Sequence, residues 1–189
     1  MEYNTFFAGV NPGGLRTKQE IKVLICYILA EMADANIKKS DVTAVLQSSG
    51  LANYFEASEA FSELNVQGNI AKKDEDLNFY MVTESGKMIA EQLEQTLPLT
   101  VKEKALANTK TYLERIKNEQ ENNVIFKKNE RGYSVTCTVS SGEFDLLSLT
   151  LYAPDIDAVS TVKNNFYDDP GEVYQHVLSM LTKNNRSIV

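Results

Sequence analysis

Glu63-Leu-Asn-Val-Gln-Gly-Asn-Ile70, followed shortly by Phe79-Tyr-Met-Val-Thr-Glu-Ser-Gly86, is the most informative part of the chain. Its first residues close an apolar-periodic segment, and Gly68 is the residue that ends a helix in left-handed geometry. Residues 69–72 and 77–82 read as two short strands around a polar tip, Lys73-Asp-Glu-Asp76. Thr83 is a side-chain cap for a further helix. Helix, glycine stop, strand, tip, strand and capped helix, set after two earlier helical segments, is the layout of a winged helix-turn-helix.

Upstream, residues 1–17 read as an irregular arm in which Pro12-Gly13-Gly14 breaks any helix. A first helix is expected over 17–33. Ile21, Leu24, Ile25, Ile28 and Met32 form one stripe, and Val23, Cys26, Tyr27 and Ala30 are apolar off it. A helix apolar around most of its girth is buried on more than one side. A second domain or a second subunit is therefore expected to cover it. Ser40 is expected to cap a second helix to residue 47, and Ser48-Ser49-Gly50 to turn the chain. A third helix over 52–66 should bury Ala57, Ala60, Phe61 and Leu64, and a fourth Met88, Ile89, Leu93 and Leu97.

Pro98 marks a boundary. A long helix over 100–120 then carries Val101, Ala105, Thr109, Tyr112, Leu113 and Ile116 on one face, to dock on the domain or on a second subunit. Beyond it the apolar period changes from 3.6 to 2: Tyr133, Val135, Cys137 and Val139 alternate with Ser134, Thr136 and Thr138. With turns at Asn129-Glu-Arg-Gly132 and Ser140-Ser-Gly142, a three-stranded meander is expected over 123–128, 132–140 and 143–152. Two helices follow. Asp155 caps the first, which should bury Ile156, Val159, Val162 and Phe166. Asp169-Pro-Gly-Glu172 opens the second, which should bury Val173, Val177, Leu178 and Leu181, with a frayed tail from Lys183. The expected fold class is α+β: a winged helix-turn-helix domain with its arm over 1–98, a linking helix over 99–122, and an antiparallel β-meander with two helices over 123–189.

Composition narrows the function. The longest apolar run, residues 23–30, is too short to span a bilayer, which takes about 20 residues. No basic segment precedes an apolar one at the N-terminus, so no signal peptide is read there. Cys26 and Cys137 stand alone, which fits a reduced, cytoplasmic compartment. With His176 as the single histidine, no metal cluster or cofactor is expected. Neither a nucleophile elbow nor a phosphate loop is present, since Ser140-Ser-Gly142 sits in a turn and Gly13-Gly14 follows no strand. The chain is read as a non-enzyme.

The binding reading rests on geometry and charge. Net charge is −7, and residues 1–98 carry 8 basic against 14 acidic side chains. On the third helix Asn53 can read adenine and Ser58 can contact phosphate or base, with Tyr54 beside them, while Glu56, Glu59 and Glu63 oppose phosphates. Lys38, Lys39 and Ser40 at a helix start form a candidate phosphate clamp, and Lys72 and Lys73 can reach a minor groove from the wing.

Tyr54-Phe55, Glu63-Leu64, Gly68-Asn69-Ile70 and Tyr80-Met-Val-Thr-Glu-Ser-Gly86, with the layout of the rest of the chain, resemble a winged-helix family of Gram-positive bacteria catalogued as domain of unknown function 4364. The resemblance implies a transcriptional regulator. It brings no catalytic or binding residues with it. The expectation is a double-stranded DNA binder, acting as a homodimer because two copies read two half-sites, with a C-terminal half for ligand sensing or dimerisation. The alternative is a protein-protein module whose acidic third helix docks a basic partner.

Overall fold

The computed structural model describes residues 9–74 and 77–182. The first part of the expected arm, Glu75 and Asp76 of the expected tip, the side chain of Leu93 and the tail from Lys183 lie outside the described residues. Within them are seven α-helices and two three-stranded antiparallel sheets. The chain divides into two units, one ending at Tyr112 and the other beginning at Leu113.

In the first unit, α1 (Lys18–Glu31) starts at a capping box. The Thr17 hydroxyl accepts the Glu20 N–H at 3.2 Å, and the Glu20 carboxylate accepts the Thr17 N–H at 2.9 Å. Ile21, Val23, Leu24, Ile25, Cys26, Ile28 and Leu29 are all buried. No second domain or subunit is needed to cover them, which corrects the expectation. Helices α3 (Tyr54–Val66) and α4 (Glu84–Leu93) and strand β3 (Phe79–Val82) pack around α1. Lys102 also sets its ammonium 5.5 Å from the Tyr27 ring centroid.

A two-residue strand, β1 (Ile37–Lys38), precedes α2 (Lys39–Ser48). It joins β3 and β2 (Ile70–Asp74) in the order β1-β3-β2, with Ile37 and Ile70 in register with Tyr80 and Val82. The Phe61 and Tyr80 rings meet edge to face at 4.9 Å and tie α3 to this sheet. Gly68 ends α3 at a φ of 73°, as expected.

At α4 the Thr83 hydroxyl accepts the Gly86 N–H and donates to the Gly68 and Asn69 carbonyls. Gly86 is a close-approach position, because a Cβ there would lie 2.1 Å from the Asn69 carbonyl oxygen. The buried stripe of α4 is thus Gly86 and Ala90, and Met88, expected in the core, is 52% exposed. A tight turn, Glu94–Thr96, and Pro98 lead into α5 (Leu99–Glu121). Its residues Val101, Ala105 and Thr109 are buried.

The second unit is the expected meander: β4 (Asn123–Asn129), β5 (Gly132–Ser140) and β6 (Asp145–Ala153), in the order β4-β5-β6. Val135, Cys137 and Val139 are buried on one face. There they pack with Val159 and Phe166 of α6 (Ile156–Asp168) and with Val173 and Tyr174 of α7 (Pro170–Thr182). Asp155 accepts the Ala158 N–H and Asp169 the Glu172 N–H, so both aspartates cap as read. Ile156 and Leu181 are 48% and 78% exposed, against expectation. Ile156 lies in the first turn of α6, ahead of its contact with the sheet, and α7 meets the core only through its N-terminal half.

Candidate nucleic-acid interface

Lys39 is the centre of the site. It is the first residue of α2, and its ammonium donates to the Ser62 hydroxyl on α3 at 2.8 Å. Ser62 in turn donates to the Ser58 carbonyl at 3.0 Å. The start of α2 is thereby fixed against the solvent side of α3. That side is a ridge of Phe55, Glu59, Ser62 and Val66, spaced so that they share one helix face. Its ends are open: Phe55 is 80% and Val66 86% exposed. Tyr54, itself exposed, meets the Phe55 ring edge to face at 5.7 Å. Phe55 and Ser62 were not among the expected contacts. The helical phase counted from a cap at Asn53 would have placed both on the ridge.

Lys38 is exposed, with its ammonium 5.5 Å from the Phe79 ring centroid. Ser40 does not cap α2. It is the second residue of the helix, and its hydroxyl donates to Asp41. Asp41 does the capping instead, accepting the Lys38 N–H at 2.8 Å. A carboxylate therefore already occupies this helix start. A phosphate here would be held by the two lysine side chains rather than by free backbone N–H groups.

Asn53, expected as a base reader, is engaged within the protein. It is the cap of α3, buried, with its side-chain oxygen accepting the Glu56 N–H at 2.9 Å. Lys73 is turned to the segment just past the end of α1, donating to the Ala33 and Ala35 carbonyls at 2.7 and 3.0 Å. Lys72 is in register with Tyr80 and Lys38 with Phe79. Adjacent residues of a strand face opposite ways, so these two lysines leave the sheet on opposite faces. The Lys39–Ser62–Ser58 hydrogen bonds join the start of α2, where Lys38 and Ser40 flank Lys39, to α3, and Tyr54 lies one turn ahead of Ser58 on that helix. The side chains of Asn53 and Lys73 are engaged within the protein.

Two of the α3 carboxylates, Glu59 and Glu63, are paired with lysines of α1. Glu63 lies 2.6 Å from Lys22 and 3.2 Å from Lys18, and Glu59 lies 3.0 Å from Lys18. Hydrogen bonding from Lys22 and then Lys18 holds the Glu63 carboxyl below its ordinary range. Bonds to Glu59 and Glu63 raise the Lys18 ammonium above its own. Of the expected acidic face, Glu59 and Glu63 belong to ion pairs between α1 and α3.

Elsewhere, both cysteines are free and buried, and burial pushes the Cys26 thiol up to about 11, away from thiolate chemistry. His176 is exposed in a shallow groove lined by Asn165, Asp168, Asp169, Glu172, Val173 and Val177, and its Nδ1 lies 3.0 Å from the Glu172 carbonyl oxygen. Among the described residues no group of three His, Cys, Asp or Glu side chains is placed to hold a metal ion. No described helix is long and apolar enough to cross a membrane.

One protein-family profile, described as Domain of unknown function (DUF4364), matches residues 21–181. No curated protein and no solved structure matches the chain.

Proposed function

The chain belongs to the family of the domain of unknown function (DUF4364), and we propose that its first unit is a winged helix-turn-helix that binds double-stranded DNA as part of a transcriptional regulator. The order α1-β1-α2-α3-β2-β3 with a β1-β3-β2 sheet supports the fold reading. In that reading α2 and α3 are the helix-turn-helix pair and β2-β3 is the wing. The observation that carries the functional reading is the Lys39–Ser62 hydrogen bond, which sets two lysines beside the open ridge of α3. Lys38, Lys39 and Ser40 contact phosphates, and Tyr54, Phe55, Ser58 and Ser62 face the major groove. The ion pairs of Glu59 and Glu63 with Lys18 and Lys22 reduce the repulsion those carboxylates would otherwise present. No catalytic step is assigned. The C-terminal unit serves dimerisation or ligand sensing, and two free buried thiols fit a reducing cytoplasm.

A winged helix used for protein contact is the second reading, favoured by the exposure of Phe55 and Val66. Its partner would meet the ridge of Phe55, Glu59, Ser62 and Val66, with Glu59 and Glu63 already paired to lysines of α1. Fluorescence anisotropy with a random labelled duplex separates the two readings. Affinity that falls steeply with salt supports DNA, because each neutralised phosphate adds about −0.9 to the log–log slope. Absence of binding at low salt supports the protein partner.

A further inference from the structure

Strand β6 ends its sheet. In the order β4-β5-β6 it pairs on one side with β5, and among the described residues no backbone hydrogen bond reaches its other side. Such an edge presents a row of N–H and C=O groups that template another strand unless charge, proline or a bulge blocks them. The opposite edge, β4, is blocked by Lys127 and Lys128. From Leu146 to Ala153, β6 has no charge and no proline, and its irregularity lies at its very start, opposite Val139 and Ser140.

The residues along that edge read alike in both directions: Leu147-Ser148-Leu149-Thr150-Leu151. We propose that this edge is a homodimer interface, in which β6 pairs antiparallel with β6 of a second copy about a two-fold axis at Leu149. Leu149 then meets its own counterpart, Leu147 meets Leu151, and Ser148 meets Thr150. Leucines oppose leucines on the inner face and hydroxyls oppose hydroxyls on the outer. That is the self-complementarity an isologous contact requires. Further out, Leu146 meets Tyr152 and Asp145 meets Ala153, so no like charges stand opposite one another in a chain of net charge −7. The pairing would also cover Leu151, now 40% exposed. A six-stranded sheet results, and each copy brings one first unit.

The test is the solution mass of the full chain by light scattering after gel filtration, across a dilution series. The expected mass is twice 21.2 kDa. The paired substitution Ser148→Lys with Thr150→Lys places cations opposite cations in the dimer. Both positions are exposed, so the monomer should fold, with unchanged circular dichroism. This variant should run as a monomer. Mixing it with a Ser148→Glu, Thr150→Glu chain should restore the dimer mass. A wild type that is monomeric throughout, a lysine variant that stays dimeric, or a mixture that fails to reassociate would overturn the proposal.

Discussion

Lys22 on α1 holds its ammonium 2.6 Å from the carboxylate of Glu63 on α3, with Lys18 bridging to the same carboxylate and to Glu59. This contact ties Glu59 and Glu63 of α3 to α1. It also makes the packing of the two helices sensitive to pH.

The sign follows from the direction of the shifts. Glu63 titrates below its ordinary 4.5, so the pairing contributes stability above that value and loses it as pH falls through the folded-state value. Lys18 titrates above its ordinary 10.5, so its share is full below that value and is lost as pH rises through the folded-state value. Thermal unfolding of the wild type should therefore drop more steeply on acidification below 4.5 than that of Glu63→Gln. Equal acid slopes would show that the pair does not matter to folding.

Asn53→Ala removes the α3 cap and should cost about 1 kcal/mol in urea unfolding. Asn53→Asp keeps an acceptor for the Glu56 N–H and should recover most of that loss. If Asn53→Ala kept full stability and lost only DNA affinity, Asn53 would be a reader after all.

Gly86→Ala should destabilise by about 1–3 kcal/mol, as overpacking does. The added carbon would sit 2.1 Å from the Asn69 carbonyl oxygen and 2.7 Å from the Val82 Cγ2 atom, and the first of these is backbone that cannot swing away. Unfolding curves that superimpose on the wild type would contradict the close packing of α4 on the end of α3.

Lys73→Ala should lower the melting temperature, because the ammonium donates to two carbonyls just past the end of α1. Its salt-dependent DNA affinity should match the wild type. A weakened affinity with unchanged melting would return Lys73 to the DNA surface.

The elements with a sustained period were legible in the sequence. The stripe of α1, the Tyr133–Val139 alternation, the aspartate caps of α6 and α7 and the stop at Gly68 all follow from local rules. Strand β1 was not, because two residues cannot display a period. The caps of α2 and α3 are displaced where neighbouring polar residues offer equivalent local chemistry: Asp41 acts in place of Ser40, and Asn53 caps a helix whose expected start is Ala52. The site was the least legible part. Glu63 and Lys18 are 45 positions apart and Lys39 and Ser62 are 23 apart, and only the fold brings them together. Whether α1 needed an outside partner was also a tertiary question, settled by how α3, α4 and β3 surround it.

In the proposed function Lys38 and Lys39, at the start of α2 beside the α3 ridge, bind DNA phosphates. The most direct measurement is the anisotropy of a labelled random duplex titrated with wild type and with the Lys38→Ala, Lys39→Ala variant over a range of salt. The wild type should bind at low salt, with log affinity falling linearly in log salt. The variant should bind more weakly, with a slope shallower by about 2, because two phosphates are no longer neutralised. Identical slopes for the two proteins, or no binding by the wild type at low salt, would contradict it.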